Sequence, residues 1–126
     1  MRIMLVDDDA RMRQALTRLL YLAGFDSVEE AGDGLEALER LADGGHVDLI
    51  ITDCAMPRLD GVGFVSALRG RGDRTPVIMV SGEHDPDLVI RAIRAGVNNY
   101  VAKPIHARGL VEKIWETVGV SGAVAM

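Results

Sequence analysis

The sequence contains little cysteine, fewer basic than acidic residues and no long apolar run. Each of these shortages excludes a class of protein. Cys54 is the single cysteine among 126 residues, so no internal disulfide can form and a zinc site would lack thiolate partners. Fourteen Lys and Arg against nineteen Asp and Glu give a net charge of −5, the opposite sign to a typical nucleic-acid or anionic-membrane binder. No stretch is long enough to span a bilayer, and no leader segment precedes the first strand pattern. We therefore expect a cytoplasmic protein with no direct nucleic-acid binding and no membrane insertion.

Apolar side chains are plentiful. They make up 48% of the chain, and charged residues make up 26%, which is the composition of a folded domain with its own core. The length fits one domain. We predict a single domain over residues 1–119 and a short tail over 120–126, small and apolar, that frays.

Short apolar runs alternate with stretches of helical periodicity along the whole chain. The predicted strands are Arg2–Val6, Ser27–Ala31, Leu49–Thr52, Pro76–Val80 and Asn99–Ala102. The predicted helices are Ala10–Ala23, Gly34–Ala42, Gly61–Leu68, Asp87–Ala95 and Ala107–Val118. This alternation predicts an α/β fold with a five-stranded parallel sheet that is covered by helices on both faces, a doubly wound flavodoxin-like (βα)5 arrangement.

The polar residues that follow the strands indicate the strand order. Reactive groups come at the ends of strands one, three, four and five, whereas strand two ends in Ala31 and Gly32. Strand two also carries Glu29 and Glu30, which suit an exposed edge. Ligands of open parallel sheets bind at the carboxyl ends of the strands, where the strand order reverses. These features favour the order 2-1-3-4-5.

That order would bring Asp7, Asp8 and Asp53 together across the point between strands one and three. Two unit charges about 4 Å apart repel by roughly 4 kcal/mol at an effective dielectric of about 20. A hard divalent cation removes this conflict, and Mg²⁺ prefers oxygen ligands with a phosphate nearby. Asp7 and Asp8 could instead only cap the following helix, and for Asp9 capping is the better interpretation.

Asp53 is the candidate nucleophile, since a carboxylate can accept a phosphoryl group as an acyl phosphate. Such a transfer needs positioning and charge neutralisation. Lys103 would neutralise the side opposite the cation, and Ser81 would donate a hydrogen bond. A solvated loop lysine and an ordinary Ser-Gly turn are the plainer interpretations of these two residues.

Four stretches carry a resemblance to a known family. They are Leu5-Val6-Asp7-Asp8-Asp9, Asp53-Cys54-Ala55-Met56-Pro57-Arg58-Leu59-Asp60-Gly61, Ser81-Gly82-Glu83 and Tyr100-Val101-Ala102-Lys103-Pro104. Together they resemble the receiver domains of response regulators, of the chemotaxis type, in two-component signalling. The match runs from Arg2 to about Val118.

The resemblance implies a set of roles. Asp53 would be phosphorylated by a sensor histidine kinase or a histidine phosphotransfer protein. Mg²⁺ would be bound by Asp8, Asp53 and the backbone carbonyl of Ala55, with Asp7 helping through water. Ser81 and Tyr100 would act as switch residues and Lys103 would contact the phosphoryl group, with a cis bond before Pro104. A downstream protein would bind the face formed by helix four, strand five and helix five, until water hydrolyses the acyl phosphate.

Two other functions remain open from the sequence. The chain could be a free phosphatase or phosphotransferase that works through an aspartyl phosphate, although it lacks a substrate-capping insertion. It could be a constitutive flavodoxin-like binding module, although the acidic loop after strand one suits no nucleotide or flavin phosphate. The sequence also leaves open whether this is a stand-alone regulator or the receiver part of a longer protein.

Overall fold

The computed structural model describes residues 1–83 and 85–119, and within them strands and helices alternate without exception. The strands are β1 (Arg2–Val6), β2 (Ser27–Ala31), β3 (Leu49–Asp53), β4 (Val77–Ser81) and β5 (Asn99–Ala102). The helices are α1 (Ala10–Leu22), α2 (Gly34–Ala42), α3 (Gly61–Gly70), α4 (Pro86–Ala95) and α5 (Ala107–Val118). The predicted tail over 120–126 lies outside the described residues.

All strand pairs are parallel, and the sheet has the order β2-β1-β3-β4-β5. The predicted fold class and strand order are confirmed. The acidic strand β2 lies at one edge, as Glu29 and Glu30 indicated. The order reverses between β1 and β3, where Val6 pairs with Ala31 on one side and with Thr52 on the other.

The sheet separates two apolar layers, because successive strand residues point to opposite faces. On one face Met4 and Ile50 pack with Phe64 and Leu68 of α3. On the other face Ile3 and Ile51 pack with helices α1 and α5. The central strands are buried on both faces, which is why their sequences are continuously apolar instead of alternating.

Both strands that carry candidate residues in their last position extend one residue further than predicted. Strand β3 includes Asp53 because the N–H of Cys54 donates to the Val80 carbonyl and continues the ladder. Strand β4 includes Ser81, whose carbonyl accepts from the N–H of Lys103 at 2.9 Å. The predicted start of β4 at Pro76 is wrong by one residue, since a proline has no N–H to give to the ladder.

Three helix ends also differ from the prediction. Helix α4 begins at Pro86, one residue early, because proline suits a first helical position and Asp85 caps it. Helix α3 continues to Gly70, two residues beyond the predicted end, with the N–H of Arg71 closing its last turn. Helix α1 ends at Leu22, one residue before the predicted end. Its stop signal Gly24 then adopts a left-handed φ of 102°.

The helices are too short and too polar to cross a membrane: among the described residues, none has the length and hydropathy that a bilayer span requires.

Candidate functional site

Three carboxylates gather where β1 and β3 end. Asp7 and Asp8 follow β1, and Asp53 is the last residue of its neighbour β3. One oxygen from each of these carboxylates lies within 4.8 Å of the other two. Residues that are 45 positions apart in the chain are therefore neighbours, because β1 and β3 are adjacent and parallel.

Asp7 is the buried member of this group, with 5% of its surface exposed. Its Oδ1 accepts the N–H of Asp9 at 2.8 Å, and its own N–H donates to the Ala31 carbonyl of the edge strand. Burial raises the pKa of the Asp7 carboxyl, and the charges of Asp53 and Asp8 add to the rise. The Asp9 N–H and the Lys103 charge oppose the rise in this pKa, but burial is the largest cause.

Asp9 has a different task from its two neighbours. Its carboxylate accepts hydrogen bonds from the N–H groups of Arg11 and Met12 and so caps α1. The capping interpretation of Asp9 is confirmed.

Asp53 faces the ammonium group of Lys103. The Nζ atom of Lys103 lies 3.4 Å from Oδ1 of Asp53, and the same oxygen accepts the N–H of Cys54 at 2.8 Å. The Asp53 side chain is 11% exposed and that of Lys103 is 29% exposed. Among the described residues, no N–H or O–H group donates to the second oxygen, Oδ2. The Lys103-Pro104 bond is cis, as the resemblance implied.

The donor set fits a hard divalent cation. Three carboxylates share one partly buried corner with a single ammonium group beside them. This surplus of negative charge is costly in a partly desolvated place, and oxygen ligands of this kind are those that Mg²⁺ prefers. The cluster of Asp7, Asp8 and Asp53 could therefore hold a metal ion.

Ser81 and Tyr100 lie on β4 and β5 and share one contact residue. The buried Ser81 hydroxyl accepts the N–H of Glu83 at 3.0 Å, and the Tyr100 hydroxyl donates to the Glu83 carbonyl at 3.1 Å. The two side chains thus bond to the backbone on either side of the Glu83 Cα atom, at the start of the β4–α4 loop. The two side chains are therefore connected through one loop residue, Glu83.

The loop between β3 and α3 is pressed against the end of β3. A Cβ atom added at Gly61 would lie 2.4 Å from the Asp53 carbonyl oxygen, so a larger residue would displace either the helix or the strand end. The Gly61 N–H donates to the Cys54 carbonyl at 2.8 Å, and Asp60 caps α3 through the Gly63 N–H. The Asp60-Gly61 pair is a packing feature that sets the position of Asp53.

Sequence reasoning missed one ion pair next to the site. Arg58, in the β3–α3 loop, donates from Nε to Oδ2 of Asp33 at 2.7 Å. Asp33 also caps α2 by accepting the Glu36 N–H. Asp33 directly before the helix start was a capping signal, but no local pattern could have indicated that its partner lies 25 residues away.

Comparison with known proteins gives one consistent result. A family model described as the response regulator receiver domain matches residues 3–115. The chain is 42% identical over 116 residues to the chemotaxis protein CheY of Pseudomonas aeruginosa, covering 90% of this chain and 93% of that protein. It is 36% identical over 123 residues to CheY1 of Helicobacter pylori, covering 96% and 99%.

Solved structures show the same likeness. Chemotaxis protein CheY4 of Vibrio cholerae superposes with a TM-score of 0.85 at 31% identity, covering 92% of this chain and 97% of that one. A CheY-like receiver domain protein of Methanospirillum hungatei superposes with a TM-score of 0.84 at 28% identity, covering 94% and 93%. The similarity therefore extends over nearly the whole length on both sides.

Proposed function

This chain belongs to the response regulator receiver domain family, and we propose that it is a two-component signalling switch in which Asp53 accepts the phosphoryl group. One observation supports the proposal above all others. The Asp53 carboxylate lies within 4.8 Å of the oxygens of Asp7 and Asp8 and 3.4 Å from the Lys103 ammonium. A phosphoryl acceptor needs this combination of a cation site on one side and a fixed positive charge on the other.

In the transfer, a phosphohistidine of a sensor kinase or a phosphotransfer protein supplies the phosphoryl group. Oδ2 of Asp53 gives an electron pair to phosphorus. The phosphorus–nitrogen bond of the donor breaks, its electron pair stays on the histidine nitrogen, and that nitrogen takes up a proton from solvent. The product is an acyl phosphate on Asp53.

The neighbouring residues lower the barrier through charge and position. Asp8, Asp53 and the Ala55 carbonyl would bind Mg²⁺, with Asp7 assisting through water, and the bound cation would neutralise phosphoryl oxygens. Lys103 is already paired with Oδ1 and needs only a small movement to bind a phosphoryl oxygen instead. Its backbone is fixed by the bond from its N–H to the Ser81 carbonyl.

Ser81 and Tyr100 would transmit the change. When the Ser81 hydroxyl donates to a phosphoryl oxygen, it can give up the Glu83 N–H that it now accepts. The loop then loses the bond to the Glu83 N–H, and the Tyr100 hydroxyl can leave the Glu83 carbonyl and turn away from the loop. The face of α4, β5 and α5 changes shape as a result, and a downstream protein binds there. Ile90 and Ile93 of α4 already offer exposed apolar side chains, with exposed fractions of 45% and 63%.

The signal ends when water attacks phosphorus and the Asp53–phosphorus bond breaks, which returns the carboxylate and releases inorganic phosphate. Ala55 carries no side chain that could orient this water. In this proposal the chain catalyses only its own phosphorylation and dephosphorylation. It acts in the cytoplasm by binding partners, and it does not turn over a free substrate.

The test is incubation with Mg²⁺ and acetyl phosphate, followed by intact mass spectrometry. We expect one added phosphoryl group on the natural chain and none on Asp53→Asn. Asp26→Asn is the matched control, because it makes the same exchange at an exposed residue outside the site and should leave phosphorylation intact. Phosphorylation of Asp53→Asn, or no phosphorylation with any of several small donors, contradicts the proposal. Steady hydrolysis of a free phosphoester would favour a phosphatase.

A further inference from the structure

The β3–α3 loop contains the Ala55 carbonyl. Its Met56 and Leu59 side chains pack against the core, and its polar attachment is separate from this packing. The N–H of Gly61 secures the C-terminal end, and a bond from the Leu59 N–H to the Pro57 carbonyl lies within the loop itself. Among the described residues, the hydrogen bonds that join residues 55–59 to another element come from the guanidinium of Arg58. The middle of the loop is thus tied to the start of α2 by one ion pair.

Arg58 adopts an unusual backbone conformation to make this contact. Its φ is +66°, and it is the one non-glycine residue with a positive φ among the described residues. A left-handed conformation costs a branched or long residue about 1–2 kcal/mol relative to the right-handed region. An arginine at such a position is explained if its side chain makes a contact that offsets this cost.

The partner of Arg58 is Asp33, the largely buried residue that caps α2. The side chain of Asp33 is 12% exposed, and its other oxygen accepts the Glu36 N–H at 2.9 Å as the cap of α2. The Glu36 N–H, followed by the Arg58 guanidinium, holds the pKa of the Asp33 carboxyl below its usual range. Gly34 beside it leaves room for the loop, since an added Cβ would lie 3.0 Å from the Leu59 carbonyl oxygen.

We infer that Arg58 is a positioning residue that, through Asp33, holds the β3–α3 loop so that the Ala55 carbonyl is preorganised for the divalent cation. The inference rests on the proposed function, because it takes the Ala55 carbonyl as a cation ligand. Arg58 itself touches neither the cation nor the phosphoryl group.

The sign of the effect separates positioning from simple electrostatics. Arg58 is positively charged, so its removal should tighten cation binding if long-range charge repulsion were its only influence. If Arg58 positions a ligand, its removal must weaken cation binding, because the loop then loses conformational entropy when the cation binds. The two explanations therefore predict opposite changes.

The experiment measures the Mg²⁺ dissociation constant of the full, unphosphorylated chain by calorimetry. Asn tolerates the left-handed region, so Arg58→Asn removes the guanidinium without new backbone strain. We expect about threefold to tenfold weaker binding, at or below the lower end of the effects seen when partners of metal ligands are removed. Arg40→Asn is the matched control. It removes an exposed arginine that pairs with Glu36 on the same helix, and it should leave the dissociation constant within about twofold or tighten it slightly.

Two further readouts exclude a merely structural role. Asp33→Asn keeps an accepting oxygen for the α2 cap but removes the charge that binds Arg58, so it should weaken Mg²⁺ binding similarly. The double variant should be no weaker than either single variant. Phosphorylation of Arg58→Asn by acetyl phosphate should return to the natural rate at saturating Mg²⁺.

The outcomes separate the two proposals. If the natural chain binds Mg²⁺ and Arg58→Asn binds it equally or more tightly, the positioning role is wrong while the proposed function stands. If Arg58→Asn only lowers the free energy of unfolding in EDTA, Arg58 is structural. If the natural chain binds no divalent cation, both the metal site and the positioning role are wrong.

Discussion

The two edges of the sheet differ in how their polar and charged side chains are paired. At the amino edge, where the strands begin, charged and amide groups bond to backbone partners: Asp48 accepts the Arg2 N–H at 2.7 Å, and Asn98 accepts the Val77 N–H at 2.8 Å. At the carboxyl edge, Asp7, Asp8 and Asp53 face one another beside one ammonium group. Asp7 and Asp53 also accept backbone N–H groups, but among the described residues the three carboxylates of this cluster have one ammonium group beside them, so negative charge is in excess there.

This difference supports the proposal that the carboxyl edge carries the chemistry, while the amino edge contributes stability. The pKa of Asp48 is lowered, mainly by the Arg2 N–H, so its folded environment favours the charge. The pKa of Asp7 is raised, mainly by burial, so its folded environment opposes the charge. A bound cation can relieve an unfavourable carboxylate of this kind, and proteins commonly give up stability at functional sites.

The largest effect on stability is expected at the amino edge, from Arg69→Ala. The guanidinium of Arg69 donates to the carbonyls of Gly96, Asp73 and Thr75 and to the Asn98 side chain, which ties the ends of α3 and α4 to the start of β4. Charged hydrogen bonds contribute about 1.5–3 kcal/mol each when their loss strands a partner, although these carbonyls can partly rehydrate.

We therefore expect Arg69→Ala to lower the free energy of unfolding by about 2–3 kcal/mol in a urea titration. Mg²⁺ affinity of the folded protein should not change. Arg94→Ala is the control, since Arg94 is an exposed arginine at the same end of α4 with no ion pair recorded among the described residues, and it should cost under about 0.5 kcal/mol. A loss of Mg²⁺ affinity in Arg69→Ala would contradict the separation of the two edges.

A smaller effect, of opposite sign, is expected from Asp7→Asn at the carboxyl edge. The asparagine oxygen can still accept the Asp9 N–H, while the unfavourable charge is gone. In EDTA at neutral pH we expect the free energy of unfolding to rise by about 1 kcal/mol, a common size for a single stabilising exchange. Mg²⁺ should stabilise this variant less than the natural chain, because binding contributes stability in proportion to affinity.

The gain from Asp7→Asn should depend on pH in one direction. The folded pKa of Asp7 is raised, so its ionisation destabilises the fold most above that folded pKa. As the pH falls through the raised pKa to the ordinary value of about 3.9, Asp7 becomes protonated in both states and the gain disappears. Asp26→Asn, the same exchange at an exposed residue outside the site, is the control; a gain that grows on acidification of Asp7→Asn would refute the assignment.

The smallest effect is expected from Tyr100→Phe, which tests the link between the site and the output face. The change removes the hydroxyl that donates to the Glu83 carbonyl and keeps the ring. We expect a loss of about 0.5–1 kcal/mol in unfolding free energy and faster amide exchange at Glu83. Tyr21→Phe is the control, because Tyr21 is 66% exposed. Unchanged exchange at Glu83 would mean that Tyr100 does not hold the loop.

The fold followed from the sequence where local signals agree with each other. Apolar runs predicted the strands, and the polar residues at their ends predicted the strand order. Asp9, directly before a predicted helix, indicated a helix cap. The element ends were less predictable, since Asp53 and Ser81 belong to their strands only through hydrogen bonds to neighbouring strands. Those partners are distant in the chain, so no local pattern encodes them.

For the site, the sequence determined which groups are present: three carboxylates, a hydroxyl and a lysine at strand ends, and an acidic run that suits a cation. The tertiary structure decided their mutual geometry, including the 4.8 Å grouping of Asp7, Asp8 and Asp53 and the raised pKa of Asp7. It alone joined Arg58 to Asp33 and brought Ser81 and Tyr100 to the same residue, Glu83. The reason is that residue type and spacing act locally along the chain, whereas burial and charge–charge distance are properties of the packed sheet.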